Sequence, residues 1–131
     1  MMLDKKICFV PTMATAWAYK DMYPDLFSAL KKAVKRLYDA GVNIAVGTDS
    51  GAPGVVIGQA VHKELELLVE AGLSPMEAIV CGTKKAAENL GQGNELGTIE
   101  TGKLADLIVV AGNFNILPLK CILSAIKCPQ K

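Results

Sequence analysis

The sequence predicts an α/β fold, a parallel sheet covered by helices, and three observations point to it. Two short segments, residues 6–10 and 42–47, are apolar almost throughout, as strands buried on both faces are. Each is followed by a longer segment whose apolar residues recur every three or four positions, so strand and helix alternate. With 131 residues, of which 51% are hydrophobic and 21% charged, the chain can also bury a real core within one ordinary domain or two small ones.

Lys6-Ile7-Cys8-Phe9-Val10, closed by Pro11, reads as the first strand. Thr12 to Tyr23 has no clean period and reads as a loop. It holds the one tryptophan, Trp17, near Tyr19 and Tyr23, either packing on its own rings or lining a pocket. From Pro24 the pattern is helical: Leu26, Phe27, Leu30, Val34, Leu37 and Tyr38 share a face. Pro24 suits the first turn and Gly41 the position past the end. Lys31, Lys32, Lys35 and Arg36 lie beside or opposite that stripe, as a solvated face does. Val42 to Gly47 is the second strand, running into Thr48-Asp49-Ser50-Gly51-Ala52-Pro53-Gly54. A helix from about Ile57 to Ala71 follows, with Ile57, Val61, Leu65 and Leu68 in register and Gly72 as terminator. Ser74-Pro75-Met76-Glu77 has the form of a capping box. It opens a third helix with Met76, Ile79, Val80, Ala86, Ala87 and Leu90 inward and Gly91 at its close. Beyond it, Gly97 to Gly102 reads as a short strand and turn, Leu104 to Ala111 as an apolar strand, and Leu117, Leu119, Ile122, Leu123 and Ile126 as a short helix.

Several classes of function are disfavoured. Fourteen basic against thirteen acidic side chains leave a net charge of +1, no electrostatic reason to expect nucleic acid or an anionic membrane as partner. No apolar run approaches the roughly 20 residues of a membrane-spanning helix. Met1 to Lys6 lacks the form of a secretory signal, so a reducing cytoplasm is the expected location. The four cysteines, Cys8, Cys81, Cys121 and Cys128, form no CxxC pair. Cys8 and Cys81 read as buried thiols, and a Cys121–Cys128 disulfide would need an oxidising compartment. One histidine and no close cysteine pair make a self-contained zinc site improbable.

In parallel α/β folds the loops at the carboxyl ends of the strands carry function. Two loops qualify, the one from Pro11-Thr12 and the one at Gly47-Thr48-Asp49-Ser50-Gly51. Asp49 stands just past an apolar strand, where a carboxylate can bind a metal or take a proton from an activated water. It can equally cap the following turn through nearby backbone amides. The glycine-rich stretch Gly47 to Gly58 invites a phosphate-cradle reading, yet no Gly-Lys-Ser/Thr follows and no GxGxxG is present. His62 falls near the start of a helix, as a satisfied or exposed helix histidine.

Val42-Asn43-Ile44-Ala45-Val46-Gly47-Thr48-Asp49-Ser50-Gly51 resembles the final barrel strand of the amidohydrolase superfamily. The stretch from His62 to Ile79 resembles its helical continuation, and Gly97 to Val110 the return into the small β-domain beside the barrel. Val10-Pro11-Thr12 resembles the end of the preceding barrel strand. Within the superfamily the likeness is to imidazolonepropionase-related and prolidase-type enzymes. The resemblance implies a (β/α)8 barrel with an accessory β-sandwich, hydrolysing C–N bonds of a small-molecule substrate with one or two divalent metals, usually zinc. Asp49 matches the family's last-strand aspartate, a metal ligand and the catalytic proton shuttle. The family's His-x-His has no counterpart here, and His62 lies on a helix that the family does not use for metal. After Gly112-Asn113 the chain also departs from the family pattern. A whole barrel takes roughly 250 residues. The expectation is therefore the last two βα units of the barrel (residues 1–91) with part of the accessory β-domain and a tail (residues 92–131). Such a piece is expected to be inactive alone, to hold no zinc tightly, and to form a homo-oligomer through its cut edges. Two other readings stay open: a non-enzymatic oligomeric remnant or assembly module, and a small phosphate-binding α/β domain.

Overall fold

The computed structural model describes residues 2–109 and 124–126, with side chains up to Ile108. Five helices and two short strands occur among them: α1 (Met13–Ala18), α2 (Pro24–Asp39), α3 (Gln59–Glu70), α4 (Pro75–Gly82), α5 (Lys84–Asn89), β1 (Leu107–Val109) and β2 (Ser124–Ile126).

The two apolar segments run parallel, but they pair at a single bridge, Phe9 with Ile44. Phe9 donates its N–H to the Asn43 carbonyl (2.8 Å), and Ala45 donates to the Phe9 carbonyl (3.1 Å). The ladder cannot lengthen. Two residues upstream, the Ile7 N–H is engaged with the Met2 carbonyl at 3.0 Å. Two residues downstream stands Pro11, which has no N–H. On its other side the second segment meets a helix end, where Val46 donates to the Cys81 carbonyl (3.1 Å). That contact satisfies one of the last-turn carbonyls that a helix leaves free.

Three helices end as the glycines predict. Gly41, Gly72 and Gly91 all have positive φ (83°, 109° and 74°), which a side chain would disfavour. At the first, Gly41 donates to Tyr38 and Val42 to Leu37, both at 2.9 Å, the double closure of a Schellman motif. The same pair of bonds recurs after α3 and after α5. The capping box at Ser74 forms in full. Glu77 N–H donates to Ser74 Oγ (3.3 Å), and Ser74 N–H donates to Glu77 Oε2 (2.6 Å).

The core gathers Met13, Val34, Ile44, Leu67, Leu68, Leu73, Ala78 and Cys81, so α1 to α4 close over the second strand segment. Six expectations are corrected. Residues 13–18 of the expected loop are helical. The inward face of α3 is Ala60, Glu64, Leu67 and Leu68, while Ile57 is 79% exposed and Val61 also faces solvent. The long third helix breaks at Thr83 (φ −122°, ψ −87°), whose hydroxyl donates back to the Ile79 carbonyl. Met76 and Leu90, expected inward, are exposed. Residues 97–102 form turns without a strand, and Ser124–Ile126 pairs antiparallel with Leu107–Val109 instead of being helical. The rest of that expected tail helix, and Cys121 and Cys128, lie outside the described residues.

Candidate functional site

The carboxyl ends of the two strand segments converge where the sequence places them. After Pro11, Thr12 takes a left-handed conformation (φ 46°) and the chain turns at once into α1. After Gly47, Asp49 does the same (φ 50°). Aspartate is among the few side chains that tolerate this region. The two turns are joined by one hydrogen bond, Thr15 Oγ1 donating to the Thr48 carbonyl (2.9 Å). Gly47 lies against the first strand, and a Cβ there would overlap Val10 Cγ1.

Asp49 is exposed. Its backbone carbonyl accepts from Ala52 N–H (3.4 Å), whereas its carboxylate makes no hydrogen bond or ion pair among the described residues. The turn-cap alternative therefore finds no bond to support it. The neighbouring hydroxyls of Thr48 and Ser50 bond to each other at 2.7 Å. Val55 and Ala60 pack on Ala14, so the glycine-rich loop leans on α1 before entering α3.

One functional candidate escaped the sequence reading. Glu64, on the inward face of α3, is fully buried, and its carboxylate accepts the first two amides of α1, Met13 N–H at 2.9 Å and Ala14 N–H at 2.6 Å. Burial pushes its pKa up to about 7, against the pull of those two amides. Glu64, Glu66 and Glu70 stand among apolar residues on α3, and nothing in their spacing marks one carboxylate as buried.

The other candidates take their plainer roles. His62 is half-buried on α3. Trp17 packs against the core with Lys20 and Lys63 ammonium groups 4.8 and 4.6 Å from its ring centre, so no open aromatic pocket forms there. Lys31 pairs with Glu70 and Lys35 with Asp39 on the solvated face. Burial raises the thiol pKa of Cys8 and carries that of Cys81 to about 11, so neither thiol is activated.

The model of the amidohydrolase family matches residues 23–130. The chain belongs to the amidohydrolase family. An imidazolonepropionase from Maricaulis maris is 36% identical over 107 residues, 76% of this chain and 26% of that protein. A 5-methylthioadenosine/S-adenosylhomocysteine deaminase from Moorella thermoacetica is 34% identical over 84 residues, 59% of this chain and 20% of that protein. Among solved structures, a Xaa-Pro dipeptidase with bound methionine superposes with a TM-score of 0.75 at 32% identity, covering 87% of this chain and 31% of that one. This amidohydrolase chain thus spans only a fifth to a third of the length of these three relatives. The family is generally metal-dependent. Among the described residues of this member, however, no three His, Cys, Asp or Glu side chains come together as a metal site needs. Among the described residues no helix is long and apolar enough to cross a membrane.

Proposed function

We propose that the chain is the closing portion of a hydrolase acting on C–N bonds of a small molecule, with residues 1–91 as the last two βα units of its barrel and residues 92–131 as part of the accessory β-domain. The observation that carries this reading is Asp49: an exposed carboxylate with no bonded partner among the described residues, at the carboxyl end of a strand segment paired in parallel. In a barrel this is the face on which active sites lie. Asp49 is then the residue that this chain contributes to the metal centre and to proton transfer from water. A catalytic zinc site takes three protein ligands and this reading assigns one to the chain, so the expectation carried into the test is that the chain alone holds no zinc tightly and hydrolyses nothing.

The test supplies what this chain lacks. Co-expression with the first three-quarters of an imidazolonepropionase should give a complex with metal-dependent hydrolysis, and Asp49→Asn should remove activity and lower the metal content while the complex still forms. Full activity in Asp49→Asn, or near-stoichiometric zinc retained after dialysis by the 131-residue chain alone, would overturn the assignment.

A second reading, an oligomeric module, is favoured by the apolar side chains left at the surface around the strand segments and β1. These include Ile7, Val10, Val56, Ile57 and Ile108. It is compatible with the first, since cut strand edges recruit further chains.

A further inference from the structure

We propose that Glu64 is a positioning residue: its buried carboxylate latches the first turn of α1 and, through Thr15 and Thr48, holds the loop that presents Asp49. The role of Asp49 rests on the function proposed above, but the latch does not.

Glu64 is the one charged side chain that is buried among the described residues. A buried carboxylate is costly unless its oxygens are satisfied, and here each oxygen accepts one α1 amide. Among the described residues helix α1 has no other side-chain cap, because Thr12 offers no side-chain hydrogen bond. Glu64 therefore does across 50 residues of chain what an N-cap does locally. From the same short helix, the Thr15 hydroxyl reaches the carbonyl of Thr48, the residue before Asp49. The path from carboxylate to loop is two hydrogen bonds joined at the consecutive residues Ala14 and Thr15 of α1.

The latch responds to pH. No other ionisable group on the packed elements shares in its perturbation, whose causes are burial and the two amides. Helix α1 carries no ionisable side chain. On α2, Lys31 and Lys35 are paired with Glu70 and Asp39, Asp25, Lys32 and Arg36 are exposed, and Tyr38 bonds Glu77. On α4, Glu77 is held by Ser74 and Cys81 is a buried thiol. On α3 itself, Lys63 pairs with Glu66, and His62 stands two positions away. With the latch open, Glu64 meets water and returns towards its ordinary 4.5, while with the latch closed it titrates near 7. The closed form thus holds a proton more tightly. Acid closes the latch, and rising pH loosens it between those two values.

Amide hydrogen exchange followed by NMR on the full 131-residue chain, with rates corrected for intrinsic exchange, reads this directly. Between pH 5 and 8 the protection of the Met13 and Ala14 amides should fall by roughly a hundredfold, while Ala78 in α4 stays flat. The Thr48 and Asp49 amide shifts should follow the same midpoint. Glu64→Gln should flatten all four profiles, and His62→Gln should leave them as in the wild type. A flat wild-type profile, a profile that survives Glu64→Gln or one that vanishes in His62→Gln would overturn the proposal. So would Thr48 and Asp49 shifts that ignore the titration. Should Glu64→Gln fail to fold, carbon-13 titration of the Glu64 carboxyl in the wild type decides: a midpoint in the ordinary carboxylate range overturns it. None of these readouts involves metal or hydrolysis, so the latch and the Asp49 assignment fail separately.

Discussion

Asp49 and Ser74 are exposed side chains at the starts of turns, and they differ in what they touch. Ser74 closes a capping box with Glu77, so Ser74→Ala should cost about 1 kcal/mol, whereas Asp49→Asn should stay within about 0.5 kcal/mol because no bond is lost. Asparagine is the clean replacement, since its side chain tolerates the positive φ at which alanine would add strain of its own. Parallel urea melts compare the two. A loss at Asp49→Asn equal to that at Ser74→Ala would return Asp49 to the role of turn cap. Glu64 and Glu77 pull stability in opposite directions with pH. The raised pKa of Glu64 makes its contribution greatest below about 4.5 and removes on the order of 2–3 kcal/mol as pH rises to about 7. The lowered pKa of Glu77, due first to the Ser74 amide, favours the folded chain above the ordinary carboxylate range and is lost in acid. Glu64→Gln should therefore flatten the fall in urea midpoint between pH 5 and 7.5. The capping box was legible in the sequence because its partners are three residues apart. Glu64 was not, because its partners are two amides 50 and 51 positions away.

Among the elements, α3 shows how far periodicity reaches. Ile57 of the expected stripe precedes the helix; its remaining members Val61, Leu65 and Leu68 and the buried set Ala60, Glu64, Leu67 and Leu68 are two faces of one helix, rotated by about one residue. Hydrophobicity alone favours the first. The second is the face on which the Glu64 carboxylate meets the α1 amides. Leu67→Ala should then cost about 2–5 kcal/mol, as deletions of fully buried leucines do, and Val61→Ala, on the exposed face of the same helix, less than about 0.5 kcal/mol. Thermal unfolding of both variants checks the rotation, and equal losses would contradict it. Helix α1 was hidden for a different reason. Its six residues are too few to display a period, and only its three alanines hint at helix. The ends of α2, α3 and α5 were legible because a glycine past the last turn acts through its own backbone and depends on nothing remote.

For the molecule as a whole, two parallel segments sharing one bridge cannot cover the apolar side chains around them. The chain should sediment and scatter light as a dimer or larger at tens of micromolar, through the strand edges or the Leu104–Val110 region. A stable monomer at that concentration would refute this. At this scale the sequence disclosed which family segment the chain resembles, since the motif from Val42 to Gly51 is contiguous. It could not disclose that pairing stops after one bridge, which depends on Ile7 and Pro11 together at the two ends of a strand.

The bond from Val46 N–H to the Cys81 carbonyl has a kinetic meaning for such assembly. A newcomer on that flank of the second segment finds its first donor already engaged, and taking it would orphan a carbonyl in the last turn of α4. Addition there is an exchange of bonds with little net gain at first contact. Its rate follows how often that helical turn frays, and collision frequency matters less.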